Sequence, residues 1–291
     1  MATASQWIGG SRPRTLPAAF APVIVGTGLA IGAQTFDGWA ALLALIVAVA
    51  LQVGVNYSND YSDGIRGTDE VRVGPVRLVG QGLAPASQVK RAAFLSFAVA
   101  MLAGLGLVLI TQKWWLLLVG VACVAAAWLY TGGKHPYGYL GLGEIFVFVF
   151  FGLVPVVGTF YVQSLTINSS AIIAGCGVGF LSCAILVTNN LRDIPGDTAS
   201  GKRTLAVRLG DSRTRILYLI LVIAAAICAL ALTITYSKSA VLALASFALA
   251  VTPVRIVMSG AKGRDLIAAL KGTGTLVLVY GIVLGIGLAL N

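Results

Sequence analysis

The chain has 291 residues, 58% of them hydrophobic and 10% charged, with a formal net charge of +10. A charged fraction so far below the roughly 25% of ordinary soluble domains excludes a water-soluble globule and places the chain in lipid. The basic excess alone would suit a nucleic-acid binder, so the positions of the charges decide.

A helix crossing hydrocarbon needs about 20 mostly apolar residues. Nine such stretches follow one another, near 15–35, 38–58, 89–110, 114–131, 142–162, 169–190, 214–235, 239–257 and 272–290. The first follows Arg12-Pro13-Arg14 and has no small-residue cleavage site behind a short core, so it reads as an anchor and not a signal peptide. With the N-terminus on the cytoplasmic side, the loops after the second, fourth, sixth and eighth spans share that side. Eighteen of the twenty Lys and Arg then fall there, with only Lys113 and Lys238 opposite. That asymmetry predicts a multi-pass protein of the cell membrane, N-terminus cytoplasmic and C-terminus opposite, and it removes nucleic acid as a partner. Cys123, Cys176, Cys183 and Cys228 all fall in apolar spans, which suggests neither a disulfide framework nor a thiolate metal site.

The expected fold is an all-α integral membrane protein, one domain over 1–291, with cytoplasmic cap loops near 60–88, 132–141 and 191–213. The first and last of these mix acids and bases, as binding loops do. The segment NYSNDYSD begins at Asn56 and NNLRDIPGD at Asn189, and in each an asparagine precedes an aspartate by four residues. Four residues are about one helical turn, so Asn56 and Asp60, like Asn189 and Asp193, share a helix face. Gln52 extends the first stripe into the membrane. Polar groups at such depth either hydrogen-bond neighbouring helices or line a watered functional cavity.

Two acidic patches, Asp60 with Asp63 and Asp193 with Asp197, point to a hard, oxygen-loving ion. The single histidine, His135, excludes a multi-histidine site. Mg2+ is the natural candidate, since it bridges one or two carboxylates to substrate phosphates. Arg72, Arg77, Lys202 and Arg203 stand close by in sequence to neutralise phosphate. Arg12 and Arg14 read as a positive-inside anchor. Pro195, between Asp193 and Asp197, predicts that the sixth helix ends or bends at Asp193.

These segments resemble the UbiA-type intramembrane prenyltransferases. The likeness includes RPRTLPAA at 12–19, NYSNDYSDGIRGTD at 56–69, GPVRLVGQG at 74–82, YTGGKHPYGYLGLGE at 130–144, and NNLRDIPGD with GKRTLAVRLG within 189–210. The loop segments are similar to the branch that prenylates 1,4-dihydroxy-2-naphthoate in menaquinone biosynthesis. The resemblance implies nine helices around a central cavity, Mg2+ bridging the two motifs as ligated by Asp60, Asp63, Asp193 and Asp197, and a polyprenyl diphosphate whose tail lies toward the lipid bilayer. It implies substrate contacts by Asn56, Asn59, Arg72, Arg77, Tyr130, Lys134, Asn189, Lys202 and Arg203. In the family scheme the first motif continues to a third acid, which here falls on Gly67, with Asp69 two residues later. The Phe-rich fifth span, with Phe146, Phe148, Phe150 and Phe151, is a candidate cavity wall. Rival readings are a relative acting on 4-hydroxybenzoate or a similar acceptor, and a proton- or cation-coupled transporter.

Overall fold

Long apolar runs with polar caps become helices wherever hydropathy places them, and the helices that carry the acids run further than hydropathy indicates. The computed structural model describes residues 2–67 and 76–291, and among these the ordered elements are helices and turns. They are α1 (Ala4–Gly10), α2 (Pro17–Gly32), α3 (Gly38–Ile65), α4 (Ala86–Thr111), α5 (Leu116–Leu129), α6 (Gly143–Phe148), α7 (Val154–Ser164), α8 (Ser169–Ala199), α9 (Leu205–Thr235), α10 (Val251–Met258) and α11 (Leu266–Ala289). A π turn over Val149–Leu153 joins α6 to α7, and a 3₁₀ segment over Lys238–Ala250 leads into α10.

Among the described residues, seven helical segments are long and apolar enough to cross a bilayer, and the broken pair Ala4–Thr15 and Pro17–Gly32, bent by 50°, makes an eighth. The expected ninth, α5, is apolar but has only 14 residues. Its Trp114-Trp115 turn starts it late, and Gly132 and Gly133, the latter at φ 78°, turn the chain away at its end.

Asp37 caps α3 by accepting from the N–H of Trp39 and Ala40 at 2.9 and 3.0 Å, and Asn168 caps α8 through Ala171 N–H at 2.8 Å. Both helices then continue about two turns or more past the expected spans, carrying all four aspartates on helix and not in loops. Hydropathy ends where charge begins, but backbone hydrogen bonding does not. Pro195 sits inside α8 without ending it, so of the two expected outcomes at Asp193 the helix end does not occur. Proline at that point removes one intrahelical bond, the one to the carbonyl of Leu191, and the turns on either side carry the helix through.

Lipid supplies no hydrophobic drive between helices, so close packing of small residues holds the bundle. A Cβ on Gly28 would lie 2.2 Å from the carbonyl of Gly285, and one on Gly152 would lie 2.4 Å from the Cα of Gly179. α2 therefore crosses α11 nearly backbone to backbone, and the π turn does the same on α8. The π turn also swings the Phe-rich segment relative to a regular helix, so that Phe146, Phe150 and Phe151 face the interior cavity while Phe148 packs on Phe180. Helices α3, α5 and α8 finish, and α4, α6, α9 and α11 start, at one end of the bundle. Both aspartate motifs sit at that end.

Candidate active site

The bundle encloses a cavity of about 790 Å³ whose polar mouth lies between the ends of α3 and α8 and whose depth is apolar. Each helix end is shaped by a glycine in the left-handed region. Gly67, at φ 70°, follows α3, and its N–H returns to the carbonyl of Gly64. The third acid of the family scheme would fall on this residue, and its backbone explains why glycine stands there. Gly201, at φ 74°, follows α8; its N–H bonds to Thr198 O and that of Lys202 to Asp197 O, at 3.2 and 2.8 Å. This pair of bonds is the Schellman arrangement, and it folds the chain back so that Lys202 enters the cavity.

Lys202 is buried, and its Nζ lies 3.2 Å from Asp63 Oδ1. Tyr139 donates its hydroxyl to the same oxygen at 2.5 Å, and the cations of Lys202 and Arg66 lie 4.5 and 5.4 Å from its ring centre. Arg66 also donates to the carbonyls of Thr131 and Gly133, tying the end of α3 to the end of α5. Thr131 in turn donates to Asn59 Oδ1 at 2.8 Å. On the opposite wall Arg192 grips Asp193 with two bonds of 2.8 Å and Asn189 Oδ1 with a third. Tyr137, between α5 and α6, donates to Ala126 O at 2.7 Å and stacks on Phe146, and burial pushes its phenol well above the usual range.

Of the residues expected at the site, Asn56, Asn59, Asp63, Arg77, Tyr130, Asn189, Asp197 and Lys202 line this one cavity. Asp60 and Asp193, expected as metal ligands beside them, do not line it. Both oxygens of Asp60 accept backbone N–H groups, from Leu78 at 2.7 Å and Val79 at 3.1 Å, in a fully buried setting. They hold the segment that carries Arg77 into the cavity. Asp193 lies one helical turn before Asp197 on α8, and its carboxylate is matched by Arg192. Lys134 and Arg203 are also not brought in. The Gly133 turn leaves Lys134 exposed on the rim, and Arg203 is exposed while its N–H bonds to Tyr139 O at 2.9 Å. Arg72 and Asp69 lie outside the described residues.

The sequence reading missed Tyr139, Thr131 and Arg192, which the geometry makes central, and assigned Arg12 to an anchor although it lines the cavity. The signal for Arg192 was its place inside the second motif; that for Arg12 was Pro13 beside it, which marks the helix break. Tyr139 and Thr131 carried none beyond proximity to Tyr130.

A profile of the UbiA prenyltransferase family matches residues 19–288. The chain is 52% identical over 289 residues to the 1,4-dihydroxy-2-naphthoate octaprenyltransferase of Mycobacterium tuberculosis, covering 99% of this chain and 98% of that one. It is 43% identical over 216 residues to the protein of that name in Escherichia coli, covering 72% and 70%. Its fold matches that of a UbiA homolog from Archaeoglobus fulgidus solved with GPP and Mg2+, at a TM-score of 0.70 and 14% identity, over 96% of this chain and 99% of that one.

Proposed function

This chain belongs to the UbiA prenyltransferase family, and from that premise we propose that it transfers a polyprenyl group from a polyprenyl diphosphate to 1,4-dihydroxy-2-naphthoate. Diphosphate and CO2 leave, and demethylmenaquinol forms. One observation carries the reading: two acidic motifs far apart in sequence meet at the cationic mouth of an apolar cavity, where Lys202 touches Asp63. The relatives' names support the choice of acceptor.

Arg77, Arg192 and Lys202 line the mouth and bind the diphosphate, as Asn59 and Asn189 orient it from the two helix ends. Asp63 and Asp197 are the cavity-facing acids and would hold a magnesium ion. Their donor set is oxygen only, and among the described residues no three acids, histidines or cysteines cluster. The remaining coordination positions then fall to substrate and water, as magnesium prefers. When bound, magnesium supplies positive charge against the diphosphate oxygens. Asp60 and Asp193 act behind this set, holding the Arg77 segment and the Arg192 guanidinium.

As the allylic C–O bond breaks, its electron pair goes to the diphosphate, where Arg77, Arg192 and Lys202 meet the growing negative charge. The cationic C1 is left facing Phe146, Phe150, Tyr130 and Tyr137, whose ring faces tolerate positive charge and whose packing excludes water. The electron-rich naphthoate carbon attacks C1, and CO2 departs as its bonding pair returns to the ring. The tail extends into the apolar depth. We place the motif end, which gathers seventeen of the nineteen Lys and Arg among the described residues, at the cytoplasmic face of the cell membrane.

Purified protein supplied with magnesium, a polyprenyl diphosphate and 1,4-dihydroxy-2-naphthoate should form demethylmenaquinol and lose this activity in excess chelator. Turnover of 4-hydroxybenzoate with none of the naphthoate would reassign the acceptor.

A further inference from the structure

Below the diphosphate level the cavity wall carries two buried polar groups that nothing in the protein matches. Gln52 lies on α3 seven residues before Asn59, and Ser182 lies on α8 seven residues before Asn189. Both line the cavity, and they are 5% and 3% exposed. Gln52 Oε1 and Ser182 Oγ have no hydrogen-bond partner.

The orientation of the Gln52 amide is dictated by its surroundings. Thr15 donates its hydroxyl to the carbonyl of Arg12 at 2.9 Å, so its oxygen can only accept from other groups. It accepts from Gln52 Nε2 and from Asn56 Nδ2, each at 2.9 Å. Gln52 must therefore present its amino group to Thr15, and its carbonyl is the end left without a partner. Ser182 shares its unmatched hydroxyl with Ser58 and Ser62 on α3, but of the three it alone lines the cavity. Thr188 on the same helix, and Ser96 and Thr111 on α4, each donate to the carbonyl four residues back, whereas Ser182 does not. Unmatched polar groups are costly inside a membrane bundle, which makes them marks of a missing ligand.

A polyprenyl tail brings no polar atom to this depth, but an aromatic diol does. We infer that Gln52 and Ser182 form the acceptor subsite, Gln52 Oε1 accepting from one ring hydroxyl and Ser182 Oγ bonding to another ring oxygen from the facing helix. Two turns separate these residues from the asparagines, roughly 10 Å along the axis, room for a fused two-ring acid beneath the diphosphate. The inference rests on the prenyl-transfer reading and identifies what that reading lacks, the contact that selects the acceptor. The hydrogen bonds of Gln52 and Asn56 to Thr15, and of Asn56 to Ser11 O at 2.9 Å, give the broken α1–α2 segment a purpose: it pins this wall.

Steady-state kinetics of Gln52→Met and Ser182→Ala test it, with each substrate varied separately. Losing one hydrogen bond to the acceptor should raise the naphthoate KM about tenfold in Gln52→Met and about threefold in Ser182→Ala, with the polyprenyl diphosphate KM within about twofold of the unsubstituted value. Inhibition by 1-hydroxy-2-naphthoate and 4-hydroxy-2-naphthoate adds a second readout. One of the two lacks the hydroxyl that Gln52 takes, and it should inhibit Gln52→Met and the unsubstituted protein equally. Ser182→Ala removes an atom with no partner in the protein, so its melting temperature should not change. An unmoved naphthoate KM in Ser182→Ala and in folded Gln52→Met, or equal rises for both substrates, would overturn the subsite. Failure of the unsubstituted protein to use the naphthoate at all would instead overturn the function on which it rests.

Discussion

The end of α3 and the end of α8 look like two copies of one device, yet they reach the same result by different means. In each, the first aspartate is consumed by the protein and the second faces the cavity. On α3, Asp60 is held by two backbone N–H groups from the segment at Leu78 and Val79. On α8, Asp193 is held by its own neighbour, Arg192. One acid thus anchors a loop and the other orients a cation, so a shared letter in two motifs is not a shared role. What the halves have in common is position: Asp63 and Asp197 stand three and four residues further on, and both line the cavity.

Substitutions can break this comparison at its strongest point first. Asp63→Asn and Asp197→Asn should each lower kcat by about 100-fold or more, the scale of losing a charge-stabilising group at a reacting centre, and Asp63→Asn should also lower the melting temperature because buried Lys202 loses its carboxylate partner. Prenyl-transfer assays alongside melting curves in detergent check both. Asp60→Asn should act differently. It leaves one backbone N–H without a carboxylate partner in a buried setting and so should cost about 1–3 kcal/mol of stability, seen as a lower melting temperature. Turnover should fall with it because Arg77 is no longer held.

Smaller effects sharpen the contrast between residues that enter the cavity and those that stop at the rim. Lys202→Gln should raise the KM for polyprenyl diphosphate about tenfold, whereas Arg203→Gln, one residue away and exposed, should leave it within about twofold. Lys134→Ala, also exposed, should match Arg203→Gln. Measuring all three against one diphosphate substrate would show whether the turn at Gly201 sets the boundary of the site.

The membrane class, the approximate helix positions and the meeting of two acidic motifs were legible in the sequence because each rests on composition or on spacing along one helix. The inward-facing register was not. Deciding between Asp60 and Asp63 needs the course of the Leu78–Val79 segment, and deciding between Lys202 and Arg203 needs the positive φ of Gly201, neither of which periodicity reveals. Hydropathy also misplaced the helix ends, since it registers lipid contact and not backbone hydrogen bonds, and it therefore assigned the acids to loops. Tyr139 escaped notice for a similar reason. Its hydroxyl reaches Asp63 across 76 positions of sequence, through a short turn whose path follows from Gly133 and Gly141.

The division of labour within the first motif is tested most directly by titrating magnesium in the prenyl-transfer assay of Asp60→Asn and Asp63→Asn. If Asp63 faces the metal-diphosphate and Asp60 holds the loop, Asp63→Asn should need about tenfold more magnesium for half-maximal activity. Asp60→Asn should keep the unsubstituted protein's magnesium requirement while turning over more slowly. An equal rise in magnesium requirement for both variants would contradict the account and return Asp60 to the metal.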